Sequence, residues 1–263
     1  MADKQKIAVV TGGSSGIGKA VCGELARRGY YVYEFSRREN SSAGVHHIAC
    51  DVTCSNQVAN AMEIAAKDGI DLLLCCAGFG ISGAVEFTSS ADARKQLDVN
   101  LFGVDSVVKA AIPALRKSQG NIVLISSVAA AAPIPFQTWY SVSKAAINAY
   151  AIALRSELRP FGIKVCSVMP GDICTEFTAA RSKSHIGDDI YEGRISRSVA
   201  GMEKDEENGM TPEAAARKIV RVAVRRSVPA HYTVGFGYQI LVLLLKLLPS
   251  SLASWVVGLL YAR

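Results

Sequence analysis

Short apolar runs alternate with longer amphipathic stretches through the first two-thirds of the chain. Positions 7–11, 31–36, 47–50, 72–75, 121–126 and 164–169 are short runs rich in β-branched, aromatic and other apolar residues, which predicts strands. Between them, 18–28, 55–67, 91–115 and 140–159 carry helical period or composition. Strands apolar on both faces and separated by helices imply a parallel sheet covered on both sides. The expected fold class is α/β: a doubly wound, Rossmann-type parallel sheet whose ligands bind beyond the carboxyl ends of its strands. Thr211-Pro212-Glu213 opens one more helix, with a hydroxyl at the N-cap, proline at N1 and an acid in the first turn. No linker or repeat divides the 263 residues, so one domain is expected over 1–263. Within it, 176–210 reads as a polar substrate lid and 235–263 as an apolar C-terminal extension.

Composition narrows the function classes. Half of the residues are hydrophobic, enough for a large core, and the net charge of +6 is scattered rather than blocked. Arg217, Lys218, Arg221, Arg225 and Arg226 read as a solvated helix face, so no nucleic-acid partner is expected, while a basic balance helps attract an anionic cofactor. The seven cysteines are odd in number and lack paired CxxC spacing, which predicts no metal site and a reducing, cytoplasmic setting.

Candidate chemistry begins after the first strand, at TGGSSGIG over 11–18. Gly12, Gly16 and Gly18 allow a tight turn and close approach of backbone to a pyrophosphate. Ser14, Ser15, Gly16 and Ile17 lie where a helix N-terminus offers free N–H groups. The second strand ends in Ser36-Arg37-Arg38, with serine where an NAD-binding acid would sit, so NADP(H) is expected over NAD(H). Glu34, two residues earlier on the same side, is the feature that argues the other way. Tyr140 and Lys144 stand one helical turn apart and project from one face. An ammonium beside a phenol is expected to lower the phenol's pKa from about 10, giving a proton-transfer pair with Ser127 as holder of the reacting oxygen.

Together these motifs resemble the short-chain dehydrogenase/reductase family over essentially the whole chain. The matching pieces are TGGSSGIG, Asp51-Val52, Ala77-Gly78, Asn100 in DVNLFG, Ser127 in LISSV, Tyr140 and Lys144 in YSVSK, and Pro170-Gly171. The resemblance implies Tyr140 as general acid or base, Ser127 on the reacting oxygen, and Lys144 on the nicotinamide ribose. It implies that Asn100 distorts its helix and anchors a proton-relay water. Asp51 and Val52 would hold the adenine, Cys76, Ala77 and Gly78 the adenosine ribose, and Pro170, Gly171, Ile173 and Thr175 the nicotinamide. The family usually carries Asn-Asn before Ala-Gly, whereas this chain has Cys75-Cys76, which removes an amide that would support the sheet.

Segment 78–86 and the apolar extension resemble the hydroxysteroid- and retinol-dehydrogenase-like branch. The activity implied is interconversion of a secondary alcohol and a ketone on a bulky hydrophobic substrate, a hydroxysteroid or bile acid first. A 3-oxoacyl-thioester reductase, a general carbonyl reductase and a non-catalytic dinucleotide-sensing protein are the alternatives. The mostly apolar stretch 128–139, with Ile134, Phe136 and Trp139, either lines the pocket or has Phe136 and Trp139 simply packing under its loop. On the lid, Arg181, Lys183, His185, Arg194 and Arg197 are placed to meet an anionic substrate group. The extension, interrupted by Lys246 and Pro249, is too short in either half to cross a bilayer. Its two halves are expected to pack on the substrate loops or another subunit, with peripheral membrane contact through 235–263, or a hairpin entering the bilayer, as the alternatives. A homodimer or homotetramer through the helices bearing Asn100 and Tyr140 is implied by analogy.

Overall fold

The computed structural model describes residues 5–39, 42–67 and 69–261. In chain order the elements are β1 (Ile7–Thr11), α1 (Gly16–Arg27), β2 (Tyr31–Ser36), β3 (Val45–Ala49), α2 (Ser55–Ala65), β4 (Leu72–Cys75), β5 (Ile81–Ser82) and α3 (Ser90–Leu97). A π-turn (Asp98–Phe102) joins α3 to α4 (Gly103–Ser118), followed by β6 (Asn121–Ile125), α5 (Thr138–Leu158) and β7 (Lys164–Pro170). The rest comprises α6 (Phe177–Ala180), β8 (Ser182–Lys183), α7 (Arg194–Glu207), α8 (Pro212–Ala223), β9 (His231–Val234), α9 (Phe236–Leu247) and α10 (Ser250–Tyr261). Short 3-10 turns fill several connections.

Seven parallel strands form one sheet in the order β3-β2-β1-β4-β6-β7-β9, so the expected α/β class and single doubly wound domain are observed. Side chains alternate between its faces, as the pleat requires. Val9, Leu73, Ile122 and Val165 pack with residues of α2, α4 and α5. Ala8, Val10, Leu72, Leu74, Val123 and Cys166 pack with α1 and α8 on the other side. Each such valine or leucine buried contributes roughly 1.5–3 kcal/mol against exposure. Thr211 caps α8 as expected, its hydroxyl accepting the Ala214 N–H at 3.3 Å.

Two expectations change. The seventh strand, β9, was not anticipated; it pairs with β7 from Ser167↔His231 to Pro170↔Val234. The helix expected over 91–115 is two helices joined by the π-turn, whose buried member is Asn100. The sheet order reverses at β1 and β4, where Thr11 stands beside Cys75. A crevice at that switch point is where this architecture binds its ligands.

Candidate active site

At the crevice, Gly12 (φ 69°) and Gly16 (φ 51°) both adopt left-handed backbone. A Cβ on Gly12 would come within 2.6 Å of the Ala77 backbone, and one on Gly18 within 2.2 Å of the Gly12 carbonyl. The turn after β1 therefore packs directly on the turn after β4. Ser14, Ser15, Gly16 and Ile17 remain partly exposed at its mouth, and the Ser15 hydroxyl does not cap α1. The Gly16 N–H is instead met by the Glu176 carboxylate at 3.2 Å. That carboxylate stands in for a phosphate oxygen: it sits at the positive end of α1, where anions are favoured. The cradle fits a dinucleotide.

The two readings of the β2 end separate clearly. Glu34 is fully buried; one carboxylate oxygen accepts the Gly13 N–H at 2.8 Å and the other meets His47 Nδ1 at 2.7 Å. It latches the glycine turn from below and does not face the crevice mouth. Ser36 donates to the Arg38 carbonyl at 2.6 Å, while Arg37 and Arg38 are exposed. Arg37 helps hold the Asp51 carboxyl below its ordinary range, after the hydrogen bonds from Thr53 that dominate that shift. Val52 is buried, and a Cβ on Gly103 would meet it at 2.7 Å. Cys76, Ala77 and Gly78 follow β4 at the crevice wall. The support missing at Cys75 is supplied in part by Thr11, whose hydroxyl accepts the Ala77 N–H at 3.2 Å and whose carbonyl accepts the Cys76 N–H at 3.2 Å.

Ser127, Tyr140, Lys144 and Asn100 converge beyond β4 and β6. The Ser127 hydroxyl hydrogen-bonds the Tyr140 phenol and also accepts the Ala129 N–H at 3.1 Å. Lys144 Nζ lies 5.7 Å from the Tyr140 ring centre and donates to the Ile125 carbonyl at 2.9 Å. Asn100 clamps the loop after β4: its Oδ1 accepts the Phe79 N–H at 3.1 Å, and its Nδ2 donates to the Phe79 carbonyl at 3.0 Å and to Ser143 at 3.1 Å. The π-turn widens the helix to place that amide.

One electrostatic expectation is corrected. Burial pushes the Tyr140 phenol up to about 12 rather than down, outweighing the Ser127 hydrogen bond and the Arg181 charge that favour the phenolate. Lys144 responds to the same desolvation by falling to about 8. Burial dominates because both groups lie under the loop and lid, where the charged form of each loses water.

Segment 176–210 and the apolar extension pack around this centre. β8 pairs with β5, and α7 packs Ile195, Val199 and Met202 on Ala84, Phe87, Ile134 and Phe136. Ile134 and Phe136 thus pack against α7, and Trp139 is half-buried. Of the lid's cations only Arg181 is buried; it pairs with Glu206, and its guanidinium lies 5.5 Å from the Phe177 ring, itself 5.8 Å from Tyr140. Thr175, before α6, approaches Gly16.

A cavity of about 490 Å³ opens beside Gly171, Asp172, Ile173, Asp205, Tyr238 and Tyr261. Pro170 ends β7 beside it. Sequence reading missed Asp172, Tyr238 and Tyr261. Tyr238 lies over Gly171 and donates to the Asp172 carboxylate, whose pKa burial raises. The only signal was the adjacency of Asp172 to Pro170-Gly171. Among the described residues no cluster of His, Cys, Asp or Glu is arranged to hold a metal ion.

A family model described as short chain dehydrogenase matches residues 6–185. The chain belongs to the short-chain dehydrogenase family. Over 98% of its length this dehydrogenase is 36% identical to the 3-ketodihydrosphingosine reductase of Bacteroides thetaiotaomicron, 98% of which is covered. It is 31% identical to the NADPH-dependent 3-dehydrocapnine reductase of Ornithobacterium rhinotracheale, covering 87% of this chain and 88% of that protein. Identity to 11-beta-hydroxysteroid dehydrogenase-like 3 of Arabidopsis thaliana is 33%, over 74% and 67% of the two chains. A short-chain dehydrogenase from Streptomyces avermitilis superimposes with a TM-score of 0.85 at 25% identity, over 97% of each chain. One from Burkholderia cenocepacia in complex with NADP gives 0.77 at 25% identity, over 94% and 95%. As a family member the dehydrogenase is an oxidoreductase using a nicotinamide dinucleotide.

Proposed function

We propose that this dehydrogenase is an NADP(H)-dependent reductase of a ketone on a long, hydrophobic molecule, with lipid ketones of the 3-ketodihydrosphingosine type as first candidates. The observation that carries the reading is the meeting of Ser127 and Tyr140 above Lys144, next to a cavity walled by Tyr238 and Tyr261 of the apolar extension. Lipid-ketone reductases among the relatives support the substrate class. A bound nicotinamide supplies the hydride. The Tyr140 hydroxyl gives its proton to the ketone oxygen, and Ser127 donates a hydrogen bond to that oxygen as charge builds on it. Lys144, its pKa brought down to about 8 by burial, then returns a proton to the phenolate readily near neutral pH. Asn100 holds the loop over this relay.

The preference for NADP rests on Arg37 and Arg38 standing exposed at the β2 end while Glu34 is committed beneath the turn. The Arabidopsis relative favours a second reading, a hydroxysteroid substrate in the same cavity. Exposed Phe102, Val142 and Ile152 around α4 and α5 support a homodimer or homotetramer through that face; a single-protomer mass at sedimentation equilibrium would remove this part. The deciding experiment offers purified protein and NADPH three families of ketone: long-chain 2-amino-3-ketones, 3-ketosteroids and 3-oxoacyl thioesters. Turnover is expected with the first. Turnover confined to steroids or thioesters would replace the lipid-ketone reading.

A further inference from the structure

We propose that α9 and α10 seat the protein on the surface of an anionic lipid bilayer. Helix α9 is apolar nearly all round. Its inner side puts Tyr238, Leu241 and Val242 against Val128 and Met169. Its outer side repeats at helical spacing: Phe236 (77% exposed), Ile240, Leu243 (58%), Leu244 and Leu247 (74%). Leu252 and Trp255 (60%) are exposed on α10, the next helix. A helix apolar on both sides needs a second apolar partner beyond its own core.

Charge decides which partner. From 214 to 263 the chain contains no Asp or Glu, while it carries Arg217, Lys218, Arg221, Arg225, Arg226, Lys246 and Arg263. Lys246 stands near enough to His231 to lower its pKa, though less than burial does, so the end of α9 returns to the start of β9, the strand that Arg225 and Arg226 lead into. The exposed apolar stripe of α9 ends at Lys246, within a stretch of chain rich in cations and free of acids, which matches the acyl–headgroup boundary of an anionic leaflet. The acids near α10, Asp205 and Glu206 of α7, stand by Tyr261, and Asp205 lines the cavity. Neither helix crosses it: each has 12 residues, about 18 Å of rise against a hydrocarbon core of about 30 Å. Among the described residues no helix is long and apolar enough to span.

The seat places lipid beside the chemistry. Tyr238 and Tyr261, one from each helix, line the cavity next to Gly171. A long-chain ketone could then enter laterally without its alkyl chain crossing water. That consequence rests on the lipid-ketone reading, whereas the seating does not.

The test measures binding without turnover. Full-length protein is sedimented with vesicles of phosphatidylcholine alone and of phosphatidylcholine mixed with phosphatidylglycerol. We expect association with the mixed vesicles, weakened by salt, with a blue shift in emission that Trp255→Phe removes. Leu243→Glu/Leu247→Glu, both on exposed sites, should keep the wild-type thermal midpoint and lower partitioning on the order of a hundredfold. No association of the wild type with the mixed vesicles, or undiminished association of the double variant, would overturn the proposal. So would a wild type that ignores vesicles and a double variant of halved mass, since a second copy would then be the occupant.

Discussion

Burial, rather than the neighbouring ammonium, sets the proton affinities at the centre. Tyr140 is held up to about 12 and Lys144 down to about 8, so at neutral pH the phenol is a stored acid and the amine a ready donor. Tyr140→Phe keeps the ring and removes the proton; turnover should fall roughly 10²–10⁴-fold while NADPH binding, read by fluorescence, stays within about twofold. Lys144 also leaves a mark on stability. Its folded-state pKa of about 8 lies below the ordinary 10.5, so between the two the unfolded chain binds more protons and stability rises with pH. Compared with Lys144→Met, the wild type should gain roughly 1 kcal/mol per pH unit above about pH 8 in urea unfolding. Equal slopes for the two proteins would contradict this. Arg37→Ala/Arg38→Ala should cut the ratio of kcat/KM for NADPH over NADH by at least about tenfold, and an unchanged ratio would refute the cofactor assignment. These residues were legible because their types and order carry the chemistry. The fate of Glu34 was not: which way a carboxylate turns depends on Gly13 and His47, and the second of these reaches it only through strand pairing.

At the scale of elements, strands β1, β2 and β4 were readable to the residue because β1 and β4 are apolar on nearly every position and β2 is rich in aromatic and β-branched residues. β9 escaped notice because its four residues, His-Tyr-Thr-Val, become a strand only by lying along β7. The break between α3 and α4 does not show in the helical pattern, but the resemblance implied a distortion at Asn100, and the π-turn lies there, with Asn100 bonded to Phe79 and Ser143. The lid is more ordered than a polar connection suggests, since α7 carries its own apolar stripe of Ile195, Val199 and Met202. Its first residues reach across to α1, where Glu176 takes the Gly16 N–H that a pyrophosphate would need. Replacing that competitor in Glu176→Gln should tighten NADPH binding roughly two- to fivefold, the effect of one charge at a helix end. Weaker binding in the variant would mean that Glu176 helps the cofactor instead.

For the whole molecule, the sheet order gathers the cradle, the proton relay and the cavity at one end, while the last two helices face outward beside them. Sequence pattern predicted that gathering through the family resemblance, but not the cavity wall, which is built from residues more than sixty positions apart, such as Asp172 and Tyr238. α10 packs against α7, and Tyr261 joins the apolar cluster of the lid. Whatever holds α10 therefore also steadies the lid. If a leaflet does so, the reaction becomes two-dimensional: the enzyme samples the mole fraction of substrate in the film rather than its bulk concentration. Diluting a long-chain ketone into inert phospholipid, with its total amount fixed, should then slow turnover in proportion, whereas a short, freely dissolved ketone should be indifferent to added film.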